Sequence, residues 1–316
     1  MLNLVGDIGG THTRLELVQS QGSLFSFVYS TQQYSSLDDI LIDFIARSNT
    51  LRPISICVLG LPGCVRDNKV SSVNISSWGE IDGAKLGTRF CFERTVIFND
   101  LEIAAIGLSG IDETSVTQIT SPEVLLPRSG ARLLVGVGTG LGVAFVTAGG
   151  EVVATESGWR SFAPRCDEDI ELLKYLRTYL RVHRVGIEQV TAGPAVVGLY
   201  NFYSERLNET CSLTDPADIF NSDQSAAVMA VAKMSYFLGQ NVAEICVQLN
   251  CTGGVFLTGG VVDKLNTRLR LPFLKGFTES LWNKALDEIV TRCAVFAVKD
   301  SVNLALLGAK IYMQAI

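Results

Sequence analysis

A short glycine-rich stretch near the start of the chain carries residue types that bind phosphate. Residues 7–14 read D-I-G-G-T-H-T-R and lie between two apolar runs that predict strands. Gly9 and Gly10 let backbone N–H groups approach an anion closely, because no Cβ intervenes, and the Thr11 hydroxyl adds a donor. Asp7 suits Mg²⁺, which usually arrives with phosphates. The stretch predicts either a phosphate-binding turn with a metal-binding carboxylate or a plain acidic hairpin turn.

A second glycine cluster, at residues 136–142, offers the same kind of donors through Gly138, Thr139 and Gly140. It does not fit the dinucleotide fingerprint G-x-G-x-x-G, because apolar residues stand where the last glycine would fall. No G-K-[ST] occurs in the chain, which excludes a P-loop. Alone, the cluster is equally a packed glycine hairpin. The two turns together predict a site that binds a polyphosphate from two sides. A larger residue at Gly9 or Gly138 is expected either to block the approach of the phosphate or to require a disallowed φ.

The elements around the first turn predict an α/β domain. A helix opens at Ser36, with Asp39 placed as in a capping box, and its apolar positions keep helical spacing. Those positions are Leu37, Ile40, Leu41, Phe44 and Ile45. Apolar runs predict strands at Leu2–Val5, Thr13–Val18, Ser23–Tyr29, Ile54–Leu59 and Thr95–Phe98. Three meandering strands followed by alternating helices and strands indicate a mixed sheet.

The second half of the chain repeats this order at a constant offset of 130 residues, with Leu134–Gly140 matching Leu4–Gly10. Strands at Gly142–Val146 and Glu151–Ala154 follow, so an internal duplication is predicted. Further helices are predicted near Glu168–Arg181, from Pro194 as first helical residue, over Ser225–Leu249 and over Asn303–Met313. Further strands are predicted at Val255–Thr258, running into Gly259, Gly260 and a helix, and at Cys293–Val298.

Length and composition limit the classes of protein. With 316 residues, 47% of them apolar and 18% charged, the chain is long enough for two domains with sizeable cores. A net charge of -6 argues against nucleic acid, because a binding face needs surplus Lys and Arg. The uncharged run Leu133–Gly150 holds six glycines and predicts strands rather than a membrane span.

Cysteine usage and the N-terminus predict a cytoplasmic protein. The first seven residues lack the basic and long apolar regions of a secretory signal. The eight cysteines are scattered, form no C-x-x-C pair and are accompanied by only two histidines, which argues against a zinc site or a disulfide framework. Reduced thiols packed as small hydrophobes are expected.

These motifs, taken in order, resemble the actin-like ATPase and sugar-kinase superfamily. Within it, the chain is similar over nearly its full length to the bacterial glucokinase family that is distinct from the repressor-related kinases. The segments that carry the resemblance are residues 6–11, 74–78, 98–100, 136–142, 156–158, 162–164, 193–194, 253–260 and 306–308. The resemblance implies ATP and Mg²⁺, with phosphate contacts at both glycine turns and at Gly259 and Gly260, and Asp7 as the metal-binding residue.

The resemblance also implies roles for polar residues at the sugar. Asp100, at the end of a buried strand, is either a helix cap or a general base on the residues alone, and the resemblance favours the base. The implied sugar-binding residues are Asn74, Asn99, Asp100, Glu156, Trp159 and Glu188. For Glu188, an exposed loop carboxylate is the alternative. Unpaired polar groups in a dry site are costly, so the pattern of sugar hydroxyls becomes a device for specificity.

Trp159 is a departure from the family. Members carry a sugar-binding histidine three residues after the glutamate that corresponds to Glu156, and this chain has tryptophan there. An indole keeps one N–H donor, adds bulk and has no acceptor. Trp159 is therefore expected to stack on the sugar, to narrow the pocket near its first and second carbons, or to turn outward.

The resulting prediction is an α/β protein of two actin-like (ribonuclease H-like) domains with a ligand cleft between them. The smaller domain is predicted at 1–108 plus 301–316 and the larger at 109–300. The predicted activity is ATP-dependent phosphorylation of glucose at its sixth position. The alternatives are a kinase for another hexose or N-acetylhexosamine, and a non-catalytic sugar-sensing protein of the same fold. Members are often homodimers, so a homodimer is an expectation of the resemblance.

Overall fold

A computed structural model describes residues 1–20, 22–71, 76–120, 125–127, 129–266, 268–279, 284–299 and 302–316. Contacts group the chain into two compact units. The first is Met1–Ile111 with Val152–Ala154 and Val302–Ile316, and the second is Asp112–Glu151 with Thr155–Ser301. A grouping by contacts does not by itself show bodies that fold independently, so the domain boundaries stay a prediction. Among the described residues, no helix combines the length and apolar character needed to cross a lipid bilayer.

The described residues form fourteen strands and eleven α-helices. The strands are β1 Leu2–Ile8, β2 His12–Gln19, β3 Gly22–Ser30, β4 Ile54–Leu61, β5 Val65–Arg66, β6 Lys69–Ser71, β7 Glu80–Asp82, β8 Arg94–Asn99, β9 Val116–Gln118, β10 Arg132–Val137, β11 Leu141–Val146, β12 Val152–Thr155, β13 Val255–Thr258 and β14 Val295–Val298. The helices are α1 Leu37–Ser48, α2 Gly83–Phe90, α3 Asp100–Gly107, α4 Asp167–Tyr179, α5 Glu188–Thr191, α6 Ala195–Leu207, α7 Pro216–Asn221, α8 Ser225–Leu249, α9 Arg270–Thr278, α10 Lys284–Arg292 and α11 Leu304–Gln314.

The first unit is built on a five-stranded mixed sheet with the order β3-β2-β1-β4-β8. Strands β1 and β2 pair antiparallel around the first glycine turn, whereas β4 and β8 run parallel to β1. Both faces of β1 and β4 are largely buried, as expected for central strands. Helices α3 and α11 approach so closely that a Cβ on Gly308 would lie 1.8 Å from the Ile103 carbonyl oxygen. Glycine at 308 therefore sets how α11 packs.

The second unit repeats the same strand order. The six-stranded sheet runs β12-β11-β10-β13-β14-β9, with β10 and β11 antiparallel around the second glycine turn and β13 and β14 parallel to β10. Only β9, at the far edge, has no counterpart in the five-stranded sheet. The repeat of strand, glycine turn and strand that the sequence predicts is confirmed.

Each unit has its own core. In the first, buried residues of the sheet pack against α1, whose predicted apolar face is confirmed by Leu37, Ile40, Leu41 and Phe44. In the second, the long helix α8 supplies fifteen buried residues and lies at the centre of the core. Burial on this scale is the main source of stability for both units.

Several local predictions need correction. At Ser36 the N-cap is confirmed, because Ser36 Oγ accepts from Asp39 N–H at 3.1 Å, but the reciprocal half of the capping box is absent. The Asp39 carboxylate accepts from the Ser36 hydroxyl at 2.8 Å instead. Pro194 is the N-cap of α6 rather than its first residue. The chain after Gly260 forms a 3₁₀ turn, Val262–Asn266, where a helix was predicted.

The cysteine prediction is confirmed in part. All eight cysteines are free thiols. Four of them are buried, as predicted for small hydrophobes, whereas Cys64, Cys91, Cys166 and Cys211 are exposed.

Candidate functional site

The first glycine turn joins β1 to β2 and places Asp7 next to it. Gly9 N–H donates to the His12 carbonyl at 2.8 Å, which closes the turn. Asp7 is half-buried, and its Oδ2 accepts from Asn303 Nδ2 at 2.8 Å and from Arg14 at 3.4 Å. Asn303 is the N-cap of α11, so Asp7 ties the first strand to the last helix. Asp7 Oδ1 accepts no hydrogen bond from the residues that the structure describes.

The end of β8 shows which residue caps helix α3. Asn99, not Asp100, caps α3: its Oδ1 accepts from the backbone N–H groups of Leu101 and Glu102 at 2.9 and 3.2 Å. Asp100 is the first helical residue, and its Oδ1 also accepts from Leu101 N–H at 2.9 Å. Because Asn99 already caps α3, capping does not account for a carboxylate at position 100.

Asn99 and Glu102 make hydrogen bonds within the fold that the sequence alone does not predict. Asn99 Nδ2 donates to the Gly63 carbonyl at 3.0 Å, so its amide oxygen and one amide hydrogen serve the fold. Glu102 completes the capping box by accepting from Asn99 N–H at 3.4 Å. Desolvation raises the pKa of Glu102, and the hydrogen bond from Asn99 opposes that shift.

Asp7 and Asp100 lie at the same edge of the first sheet. Asp7 pairs with Gly60 on β4, and Gly60 pairs with Phe98 on β8. A Cβ on Gly60 would lie 2.7 Å from Ile103 Cγ2 and in ordinary contact, at 3.6 Å, with the Asp100 Cα, so glycine lets α3 pack closely on β4 here. Neighbouring strands are about 4.8 Å apart, so the two carboxylate residues stand roughly 10 Å apart across β4. The carboxyl ends of parallel strands are where α/β sheets bind ligands.

The second glycine turn lies at the corresponding edge of the second sheet. Gly138 N–H donates to the Gly140 carbonyl at 3.0 Å, and the Gly138 carbonyl accepts from Gly193 N–H at 2.9 Å. A Cβ on Gly138 would meet no atom within 4 Å, and its φ is not positive. Gly9 is not at positive φ either. The alternative that these two glycines are required by φ is therefore wrong. For Gly138 the close approach of a ligand remains as a reason, whereas at Gly9 a Cβ would also lie 3.1 Å from the His12 carbonyl oxygen.

Gly259, by contrast, is required by the backbone. Its φ is 101°, and an added Cβ would lie 2.5 Å from the Val137 carbonyl oxygen. Val261 N–H donates to the same carbonyl at 3.2 Å. Gly259 thus packs against the base of the second glycine turn, and the exposed Gly260 follows it directly. The structure brings together the candidate phosphate-binding residues Gly138, Thr139, Gly140, Gly259 and Gly260.

Glu188 also contacts this turn. It is the first residue of the short helix α5 and half-buried, so the alternative of an exposed loop carboxylate is wrong. Its Oε2 accepts from Leu141 N–H at 2.9 Å, and a Cβ on Gly140 would lie 2.8 Å from the same oxygen. A charge-assisted bond of this kind fixes the carboxylate against the turn. No pattern in the sequence predicts this contact, because Leu141 and Glu188 lie 47 positions apart.

Glu156 and Trp159 lie on a 3₁₀ turn, Ser157–Trp159, that follows β12. Glu156 is exposed, and 54% of the surface of Trp159 is accessible. Gly158 brings the turn against the second glycine turn, because a Cβ there would lie 1.8 Å from the Leu141 carbonyl oxygen. Glu156, Trp159 and Glu188 therefore all lie close to Leu141. Asn74 lies outside the described residues.

One further cluster among the described residues has side chains of the types that bind metal ions. Cys166, Glu168 and Asp169 place three potential ligand atoms close together. Lys233 Nζ already pairs with Asp169 at 2.7 Å and with Glu168 at 3.1 Å. The ammonium group thus balances both carboxylates, and the cluster is explained as a salt bridge.

Solved structures define the class of fold. The glucokinase of Balamuthia mandrillaris in complex with glucose superposes with a TM-score of 0.80 at 21% identity, covering 100% of this chain and 94% of that one. A ROK family glucokinase from Streptomyces griseus, in complex with glucose and AMPPNP, gives a TM-score of 0.66 at 18% identity, covering 98% of each chain. The fold is the actin-like α/β fold of these glucokinases, as predicted.

The family follows from the sequence relatives. The glucokinase of Nostoc punctiforme is 26% identical over 314 residues, which cover 88% of this chain and 90% of that protein. The family model described as Glucokinase matches residues 4–316. The chain belongs to the glucokinase family, which confirms the resemblance drawn from its motifs.

Proposed function

We propose that this chain transfers the γ-phosphoryl group of ATP to glucose, giving glucose 6-phosphate and ADP. Membership of the glucokinase family supports this activity over a kinase for another sugar and over a silent sugar sensor. The observation that carries the proposal is the arrangement at the end of β8, where Asn99 supplies the side-chain cap of α3 and Asp100 stands directly after the strand, at the carboxyl edge of the sheet.

Asp100 is the proposed general base. Phosphoryl transfer to an alcohol requires that the hydroxyl proton be accepted as the bond from oxygen to phosphorus forms. A carboxylate at the N-terminal end of a helix lies where negative charge is stabilised, and the hydrogen bond from Leu101 N–H fixes its orientation. The glucose hydroxyl at the sixth position donates its proton to Asp100 and its oxygen attacks the γ-phosphorus, while the bond to the β-phosphate breaks and ADP leaves.

The remaining sugar contacts are proposed for Asn74, Asn99, Glu156, Trp159 and Glu188. Asn99 keeps one amide hydrogen beyond the one given to Gly63. Glu188 has one oxygen on Leu141 N–H and a second for a sugar hydroxyl. Carboxylates and amides of this kind recognise a polyol by pairing with each hydroxyl.

The proposed phosphate contacts are the two glycine turns, through Gly9, Gly10, Thr11, Gly138, Thr139 and Gly140, together with Gly259 and Gly260. The open space around Gly138 leaves room for a phosphate to approach the backbone. AMPPNP, found with the Streptomyces griseus enzyme, is an ATP analogue, which supports ATP as the phosphoryl donor here.

Mg²⁺ is the proposed metal, and the residues fit it. Asp7 carries both of its hydrogen bonds on Oδ2, which leaves Oδ1 for the ion or for water bound to it. When bound with ATP, the ion would neutralise charge on the phosphates. Arg14 and Asn303 hold the carboxylate in place for this task.

The proposal also covers the cellular compartment and the oligomeric state of the enzyme. Eight free thiols suit a reducing compartment, which supports the cytoplasm. A homodimer remains a proposal that rests on the family alone.

Trp159 provides the test of sugar choice. If its exposed indole stacks on glucose, Trp159→Ala should lower kcat/KM for glucose by about 5- to 150-fold, corresponding to roughly 1–3 kcal/mol of apolar contact. If the ring instead narrows the pocket, Trp159→Ala and Trp159→His should improve activity on glucose or admit a bulkier group at the second carbon. We favour stacking, because Glu156 and Glu188 are both retained.

The measurement is kcat/KM for glucose, mannose and N-acetylglucosamine on the unchanged chain and the two variants. A higher value for mannose or N-acetylglucosamine than for glucose in the unchanged chain would replace glucose as the substrate. Ratios that stay within about twofold across all three proteins would place Trp159 outside the pocket.

A further inference from the structure

Two short segments next to the proposed sugar-binding residues are tied together. Ile187 N–H donates to the Arg160 carbonyl at 2.7 Å, and Phe162 N–H donates to the Val185 carbonyl at 2.9 Å. Arg160 follows Trp159 directly, and Ile187 precedes Glu188 directly. The positions of Trp159 and Glu188 therefore depend on the same pair of segments, which meet in an isolated β-bridge between Ser161 and Gly186.

The Arg160 side chain connects this pair to the core of the second unit. Its Nε donates to the Ser157 carbonyl at 3.1 Å, within the turn that carries Trp159. Its terminal nitrogen donates to Asn241 Oδ1. Asn241 is 2% exposed and lies in α8, between residues that form the apolar core. One guanidinium thus joins the sugar-site turn to the central helix.

Asn241 is expensive to bury at this position. Its Nδ2 has no hydrogen-bond partner among the described residues. A cavity of about 30 Å³ lies beside it, lined in part by Arg160, Phe162 and Phe237. An unsatisfied buried amide group costs about 1–3 kcal/mol, and the charge-assisted hydrogen bond that Asn241 Oδ1 accepts from Arg160 is the contact that offsets this cost.

We propose that Arg160, anchored by Asn241, is a positioning residue for the sugar site. Its guanidinium holds the turn with Trp159 through the Ser157 carbonyl, and its main-chain carbonyl accepts from Ile187 N–H, directly before Glu188. Glu188 in turn accepts from Leu141 N–H, so the same chain of hydrogen bonds reaches the second glycine turn. This inference rests on the proposed function, because it assigns how that site is kept in shape.

Asn241→Leu is the most informative variant. It removes the acceptor for Arg160, and the neighbouring cavity gives room for the branched side chain. We expect the KM for glucose to rise about tenfold or more, as for loss of a hydrogen bond to a charged group, while the KM for ATP stays within about twofold. We expect Tm to fall only modestly, because the Arg160 guanidinium is partly exposed to water and keeps its hydrogen bond to the Ser157 carbonyl. A merely structural residue would not raise the KM for glucose alone while the KM for ATP stays unchanged.

Three further variants complete the test. Asn241→Asp keeps an acceptor for Arg160, so its KM for glucose should stay near that of the unchanged chain. Arg160→Met should raise the KM for glucose as Asn241→Leu does. Arg165→Gln is the matched control, because Arg165 lines the same cavity but pairs with Glu244, and its KM values should not change.

Two outcomes separate this inference from the proposed function. If the unchanged chain forms ADP with glucose but Asn241→Leu and Arg160→Met, both folded, keep the KM for glucose within about twofold, the positioning role is refuted and the function stands. If the unchanged chain forms no ADP with glucose, the proposed function fails first. Should Arg160→Met not fold, Asn241→Leu alone decides, since it leaves the arginine in place.

Discussion

Asp100→Asn is expected to lower kcat for glucose phosphorylation by at least about 100-fold, the lower end for loss of a positioned general base. The amide is nearly isosteric, and its oxygen can still accept from Leu101 N–H as Asp100 Oδ1 does. It cannot take a proton from the sugar hydroxyl at neutral pH. The cap made by Asn99 and Glu102 remains, so α3 should keep its place and Tm should hardly change.

The control is Asp39→Asn, which also changes a carboxylate in the first turn of a helix. Asp39 exchanges two hydrogen bonds with Ser36 and has no proposed role in the reaction. Its kcat should equal that of the unchanged chain. Calorimetry should show ATP binding to Asp100→Asn within about twofold of normal. A kcat for Asp100→Asn near that of the control would show that Asp100 is not the general base.

Gly138→Val is expected to weaken ATP binding by about 10- to 100-fold, because a branched side chain would stand where the backbone meets phosphate and displace charge-assisted hydrogen bonds. The fold should tolerate the change, since an added Cβ meets no atom within 4 Å and φ is not positive. Glucose binding should be affected far less. The measurement is calorimetric titration of each ligand into the same folded variant.

Gly149→Val provides the matched control. Gly149 lies in the turn between β11 and β12, its φ is not positive, and an added Cβ would lie 3.6 Å from the Thr147 hydroxyl oxygen. It has no proposed ligand, so ATP binding should stay normal. Gly9→Val is a poorer probe, because its Cβ would lie 3.1 Å from the His12 carbonyl oxygen and would disturb the turn itself. Unchanged ATP binding to a folded Gly138→Val protein would refute a phosphate grip at the second turn.

The strands and the long helix were readable from the sequence, because they bury continuous apolar runs bounded by turn residues. Helix α8 was predicted over Ser225–Leu249 and has those bounds. Helix α2 was missed, since Gly83 and Gly87 have low helix propensity. It is held instead by Asp82, whose carboxylate accepts from the N–H groups of Ala84 and Lys85. The strands β5, β6 and β7 were missed because two or three residues carry no detectable alternation.

The site was predictable as far as motif and residue type extend. The glycine turns could be singled out as candidates because their chemistry is local, whereas Asp100 became the candidate base only through the family resemblance. Which of Asn99 and Asp100 caps α3 could not be decided, since both types cap helices well. The contact of Glu188 with Leu141, and that of Arg160 with Asn241, join residues 47 and 81 positions apart. Such contacts depend on how the chain folds, and no spacing rule predicts them.

The central claim is that this chain phosphorylates glucose, and the most direct measurement is the stoichiometry of product formation. Purified protein should be mixed with ATP, Mg²⁺ and glucose, and both ADP and glucose 6-phosphate should be quantified. We expect the two products in equal amounts, with ADP formation that requires glucose and Mg²⁺ and is reduced at least about 100-fold in Asp100→Asn. Folded protein that binds ATP but forms no glucose 6-phosphate would contradict the account.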